Sequence, residues 1–212
     1  MASVLCKLSE AVMTHPKWKT SDEFPGSISL PYGVKTSHTW HEIGQILRII
    51  NDCDIFSFAE IGAHVGGLAS AVLFRNHFHP FRYVGFEVDG THLDDNVVEH
   101  CLIHVQDVFE DVNRIWRLAK SQRTFLYCDG GNKIKEMKTF APFLEPGDII
   151  ACHDYYDGQE VVGLDGFGVS DACGCVPEVW ESSLKFLFED DTFLNLPGYL
   201  LDGTRIMGFM KA

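Results

Sequence analysis

The sequence predicts an α/β fold: a doubly wound sheet of seven strands, mostly parallel, with a C-terminal antiparallel hairpin at one edge. Three observations predict it. Short apolar runs alternate with helical patterns five times in succession, which implies parallel strands joined by helical crossovers. The strand-like runs are continuously apolar rather than alternating, as a sheet covered on both faces requires. The last two strand-like runs, 192–196 and 205–210, have only a turn region around Pro197 and Gly198 between them, so they pair as a hairpin.

The elements follow in order. Trp40, Ile43, Leu47 and Ile50 recur at helical spacing. Residues 55–61 form the first strand and end in Gly62, and residues 68–74 return as a helix. The second strand is 81–87, followed by a polar helix over 91–99, and the third strand is 101–105. Val108, Phe109, Val112, Ile115, Trp116 and Ala119 make a full apolar stripe on the next helix. The fourth strand is 124–128. The helix marked by Ile134, Met137, Ala141 and Leu144 is stopped by Pro146 and Gly147, and the fifth strand is 148–152. A helix over 177–188 precedes the hairpin. Residues 38–212 thus form one domain. Residues 1–37 are an extension whose Pro25, Gly26, Pro31 and Gly33 break any continuous helix, and 155–176 is a glycine-rich loop long enough to act as a lid.

Composition narrows the function. The chain has 212 residues, 46% apolar and 22% charged, which suits one ordered domain. Acidic residues number 30 against 17 Lys and Arg, a net charge of -13 with no basic stripe, so a nucleic-acid partner is not expected. No apolar run reaches the roughly 18 residues needed to span a bilayer, so no membrane role is expected. Lys7, Glu10, Lys17 and Lys19 interrupt the first residues, and no signal peptide is expected. Seven cysteines leave at least one thiol unpaired, and Cys101, Cys128 and Cys152 sit in apolar runs, which predicts a reduced, cytoplasmic protein. Cys173 and Cys175 lack a second pair at zinc spacing. A homo-oligomer is left open.

Open parallel sheets bind ligands at the carboxyl ends of their strands. The residues that matter are therefore 60–67, 87–90, 106–107, 129–133 and 153–156, and four of these five junctions carry a carboxylate at or just after the strand end. In the first junction, Glu60, Gly62, His64, Gly66 and Gly67 spell E-x-G-x-x-x-G-G. A nicotinamide loop would need glycine where His64 stands, so a nicotinamide-dependent oxidoreductase is disfavoured.

That pattern resembles motif I of the class I S-adenosyl-L-methionine-dependent methyltransferases, whose sheet is Rossmann-like. Glu87 matches the acid that in that family holds the ribose hydroxyls, and Asp107 the acid that faces the adenine. Asp107 is equally placed to cap the helix that follows it. The resemblance covers about residues 38–212. It implies S-adenosyl-L-methionine bound by Glu60, Gly62, His64, Gly66, Gly67, Glu87, Asp107 and Asp129.

At the reacting end, Asp129 closes the fourth strand, with Gly130, Gly131, Asn132 and Lys133 after it, and His153 and Asp154 close the fifth. Two carboxylates meeting at neighbouring strand ends repel unless something compensates them. One remedy is a divalent cation, Mg²⁺ on oxygen ligands or Mn²⁺ or Fe²⁺ if His153 adds a nitrogen, with Asp129, His153 and Asp154 as ligands. The other is bonding to backbone amides or substrate with no ion. This arrangement resembles the small-molecule O-methyltransferases related to the macrocin and catechol enzymes, with Asn132 where a histidine is common and His153 where an acid is common. The resemblance implies a small hydroxylated acceptor, catalytic roles for Asp129, Lys133 and His153, and a lysine base of lowered pKa beside the cation. Lys133 also reads as an exposed first-turn residue of the next helix. Tyr155, Tyr156 and Phe167 are candidate acceptor contacts from the loop. Trp18, Phe24 and Tyr32 are candidates from the extension, which relatives use for the acceptor pocket or a dimer contact. A metal-independent methyltransferase of another nucleophile, and a non-catalytic nucleotide- or sugar-binding protein on the same fold, compete with this reading.

Overall fold

The structure, a computed structural model, describes residues 28–29, 34–36, 38–74, 81–156, 178–196 and 205–212. Strands β1 (Ile28–Ser29) and β2 (Lys35–Thr36) make a small antiparallel ladder ahead of the core. Then come α1 (Trp40–Asp52), β3 (Ser57–Ile61), α2 (Gly67–Phe74), β4 (Arg82–Glu87), α3 (Asp95–His100) and β5 (Ile103–Val105). They are followed by α4 (Val112–Ser121), β6 (Thr124–Cys128), α5 (Lys133–Phe140) and β7 (Ile149–Cys152). Short strands β8 (Tyr155–Tyr156) and β9 (Val179–Trp180), helix α6 (Lys185–Phe188), β10 (Phe193–Asn195) and β11 (Met207–Lys211) complete the chain. The main sheet runs β10-β11-β7-β6-β3-β4-β5. Strands β3 to β7 are parallel, and β11 runs antiparallel to both β7 and β10, the expected architecture.

The order places the crevice. From β3 the chain winds outward through β4 to β5, then returns to β6 on the other side of β3. The crossovers diverge between β3 and β6, so the carboxyl ends of these two strands open a cleft. Side chains alternate across the sheet. Phe58, Tyr83, Phe125 and Tyr127 face α1 and α2, while Ala59, Ile61, Val84, Leu126 and Cys128 face α4 and α5. Both faces are covered, which is why these strands read as unbroken apolar runs. Removing a side chain such as Phe58, fully buried, is expected to cost about 3–5 kcal/mol. Helix α1 starts in a capping box: Glu42 N–H donates to Thr39 Oγ1 at 3.2 Å, and Thr39 N–H to Glu42 Oε2 at 2.8 Å.

Three expected elements come out differently. The polar helix at 91–99 is a 3₁₀ turn, Gly90–His92, then α3, because Asp89 and Asp94 each cap a separate start. The stripe at 108–119 opens as a 3₁₀ turn, Val108–Asp111, capped by Asp107 before α4 begins. The helix expected at 177–188 is β9, a 3₁₀ turn (Glu181–Leu184) and the four-residue α6; Val179 and Trp180 bond to β8 instead. Because β8 and β9 pair in parallel, Tyr155 and Tyr156, which open the candidate lid, lie beside Val179 and Trp180, which follow it. Phe167, Cys173, Cys175, Trp18, Phe24 and Tyr32 lie outside the described residues, as do most of 1–37 and the turn at Pro197 and Gly198. Among the described residues Cys53, Cys101, Cys128 and Cys152 are free thiols, and no helix is long and apolar enough to cross a membrane.

Candidate functional site

A cleft of about 640 Å³ lies over the β3 and β6 ends, lined from Glu87 and Asp107 at one extreme to Asp129, His153, Asp154 and Arg205 at the other. At the first extreme the backbone does much of the shaping. Gly62 has φ +85°, and a Cβ there would collide with the Asp129 carbonyl, so only glycine lets the two loops meet. His64 is held at φ 47° with its N–H donating to Glu87 Oε2 at 2.6 Å, and Asp89 N–H donates to Glu87 Oε1 at 3.2 Å. Each Glu87 oxygen keeps a further lone pair for a hydroxyl donor in the cleft. Asp107 Oδ1 accepts from Phe109 N–H at 2.9 Å, so it is a helix cap and a cleft residue at once. Ile61, Phe86, Val88, Val108 and Phe109 add apolar surface.

Three of the glycine-loop expectations do not reach the cleft lining. Glu60 is fully buried inside β3, where it accepts a short hydrogen bond from the Tyr83 hydroxyl. Burial pushes its pKa up to about 8 against that bond. Gly66, at φ +85°, makes room for Val97 of α3, and Gly67 begins α2. These residues shape the loop from behind.

The other extreme is a dense charge network. His38 Nε2 lies 3.4 Å from Asp129 Oδ2, and His153 Nδ1 lies 3.5 Å from Asp129 Oδ1 and 3.4 Å from Asp154 Oδ1. Lys133, the first residue of α5, donates to Glu178 Oε2 at 2.5 Å and sits 3.4 Å from Asp129 Oδ1 and 3.3 Å from Asp154 Oδ2. Arg205 donates to Asp154 Oδ1 at 3.1 Å and to Glu42 Oε1 at 3.3 Å, and His153 Nε2 is 3.1 Å from the same Glu42 oxygen. Burial would raise the pKa of Asp129, but His153 and His38 outweigh it and hold the carboxyl well below the usual range. Burial would lower that of His153, but Asp129, Asp154 and Glu42 raise it well above the ordinary imidazole value.

Lys133 corrects an expectation. It is buried, not an exposed first-turn residue, and its pKa is raised rather than lowered: burial pulls it down, but Asp129, Glu178 and Asp154 more than reverse that. As an ammonium it donates to Glu178 and lies against the Asp129 and Asp154 carboxylates. It also answers part of the repulsion between Asp129 and Asp154.

The sequence reading missed His38, Glu42, Tyr127, Glu136, Glu178 and Arg205. Glu136, buried in α5, accepts from Gly130 N–H at 3.3 Å and Asn132 N–H at 3.2 Å and so fixes the loop after Asp129; burial pushes its pKa up to about 7 against those bonds. The T-x-x-E box at Thr39 and Glu42 was the available signal for Glu42. The others come from distant segments and carry no local pattern.

One group of donors could hold a divalent ion. Ligand atoms of His38, Asp129 and His153 all lie within 4.8 Å of one another in a buried corner of the cleft.

Comparison with solved structures agrees on the fold. The apo structure of CmcI N160 matches with a TM-score of 0.60 at 12% identity, over 91% of this chain and 78% of that chain. A candidate caffeoyl-CoA O-methyltransferase from Staphylococcus aureus matches at 0.57 and 11% identity, over 99% and 91%. CmcI D160 with Mg and SAM matches at 0.56 and 11% identity, over 85% and 75%. At these identities the likeness is one of fold. The sequence matches no family profile and no curated protein.

Proposed function

We propose that this chain is an S-adenosyl-L-methionine-dependent methyltransferase that moves the methyl group to an oxygen of a small hydroxylated acceptor, with a divalent ion assisting. The observation that carries the proposal is the single cleft joining two unlike ends. Glu87 and Asp107 offer carboxylate oxygens to ribose hydroxyls and an adenine amine, between apolar side chains. The far end is rich in acids, which favours a cationic sulfonium lying toward Asp129. The solved structures that share the fold include one holding Mg and SAM and a candidate O-methyltransferase, which supports the same reading.

The chemistry asks little of the protein beyond alignment. The acceptor oxygen attacks the methyl carbon, the carbon–sulfur bond breaks, and its electron pair stays on sulfur. Holding the two reactants in line is worth roughly 7–11 kcal/mol of barrier. Asp129, kept ionised by its histidine neighbours, is placed to accept a hydrogen bond from the acceptor hydroxyl and orient it, the proton leaving to water as the new bond forms. Lys133 and His153 fix its direction by donating to its oxygen. A divalent ion bound at Asp129 would lower the pKa of the acceptor hydroxyl. The test is calorimetry with S-adenosylhomocysteine followed by methyl transfer to a panel of phenolic and sugar hydroxyl acceptors. Binding and turnover support the proposal. Binding with no turnover on any acceptor favours a nucleotide-binding protein, and no binding removes both.

A further inference from the structure

Glu136 turns both carboxylate oxygens back onto the segment that precedes its own helix. Oε1 accepts from Asn132 N–H at 3.2 Å and Oε2 from Gly130 N–H at 3.3 Å. Helix capping accounts for the first bond alone: Asn132 is the N-cap of α5, and its side chain already accepts from Lys135 N–H at 3.0 Å. The Gly130 bond lies outside the helix. It forms because Gly130 has no side chain, since a Cβ there would collide with Glu136 Oε1. The segment held in this way is one wall of the cleft, with Gly130, Gly131, Asn132 and Glu136 itself in the lining. It also lies against the glycine turn after β3. Asp129 N–H donates to the Ile61 carbonyl at 2.9 Å, and the Asp129 carbonyl and Gly130 nitrogen fill the space where a Gly62 side chain would stand.

We infer that Glu136 is a positioning residue for the cofactor, whose ionised carboxylate holds residues 129–132 against the Gly62 turn and so sets the width of the crevice. The inference rests on the proposed function and deepens it by linking cofactor binding to one proton. A carboxylate accepts from both amides, whereas a protonated carboxyl turns one oxygen into a donor and leaves one amide poorly paired. Glu136 passes between these forms near neutrality: burial pushes its pKa up to about 7, against the lowering by the two amides and Lys133. The charged and titratable groups facing it are Lys133 on its own helix, Asp129 just past β6, and Cys128 of β6. Lys133 stays an ammonium, Asp129 a carboxylate and Cys128 a thiol across the neutral range, so Glu136 is the member of this group that changes charge there. Cofactor binding that favours the ionised form releases the proton, and affinity rises as pH climbs through the neutral range.

The experiment takes two readings on the full chain. In an NMR titration across the neutral range, the Gly130 and Asn132 amide protons of the parent are expected to move downfield together with a midpoint near pH 7, and to stay flat in Glu136→Gln. Calorimetry with S-adenosylhomocysteine is expected to show binding about tenfold weaker in Glu136→Ala. Glu136→Gln keeps one acceptor oxygen, so its loss should be about threefold, and the rise of affinity with pH seen in the parent should be reduced. Each variant is checked by its melting curve, and Glu136→Gln carries the test if Glu136→Ala does not fold. Amides that do not titrate, the same titration in Glu136→Gln, or a folded Glu136→Ala that binds within about twofold of the parent would each overturn the role. A parent that binds no S-adenosylhomocysteine removes the cofactor and this role together, whereas a parent and variants that bind alike remove the role alone.

Discussion

Glu60 and Asp129 are near neighbours at the ends of adjacent strands, since Glu60 of β3 pairs with Tyr127 of β6 and Asp129 follows two residues on. Their surroundings treat them in opposite ways. Glu60 lies within the pleat, fully buried, with a phenol as its partner, and its pKa rises to about 8. Asp129 lies just past the strand end, among two imidazoles and a lysine, and stays ionised. The difference teaches where function sits in this fold. An acid inside the sheet must give up its charge, whereas an acid one step beyond it can keep the charge and use it.

The sharpest way to break the comparison is Asp129→Asn, which keeps the shape and removes the charge. Methyl transfer is expected to fall by at least about a hundredfold in kcat, read in a methyl-transfer assay. The affinity for S-adenosylhomocysteine should stay within a few-fold. Glu87→Ala tests the opposite end of the cleft. Losing charge-assisted bonds worth about 1.5–3 kcal/mol should weaken S-adenosylhomocysteine roughly tenfold to a hundredfold in calorimetry.

Glu60→Gln sharpens the buried side of the contrast. A carboxyl whose folded pKa lies above its unfolded value binds its proton more tightly when folded. Its contribution to stability is therefore full below about pH 4.5 and is lost as pH rises toward about 8. Thermal melts should show the glutamine variant close to the parent at pH 4.5. At pH 9 it should be more stable, by something on the order of 2–4 kcal/mol. The smallest effect is expected from Gly66→Ala. The added methyl meets Val97 at positive φ and should cost about 1–3 kcal/mol of stability, with little change in cofactor affinity.

The sheet was legible because burial on both faces leaves a plain mark: residues 55–61, 124–128 and 148–152 are apolar almost without interruption. The short elements were not. Val179 and Trp180 carry the same apolar residues whether they begin a helix or pair with Tyr155 and Tyr156, and only the partner strand decides. The site divides in the same way. Asp129, His153 and Asp154 could be placed because strand ends converge. His38, Glu42 and Arg205 arrive from before the first crossover and from the closing hairpin. Nothing in their local sequence says that they share one network. Lys133 was found, but Glu178, 45 residues away, and Asp154 join Asp129 in keeping it protonated, and those two partners could not be read from a spacing.

The measurement that bears most directly on the central claim is calorimetric titration of the chain and of its Glu87→Ala variant with S-adenosylhomocysteine. One ligand per chain, bound by the parent and weakened at least about tenfold in the variant, is the outcome expected from a cleft that grips an adenosine through that carboxylate. No heat up to millimolar ligand, or equal binding by both proteins, would contradict it.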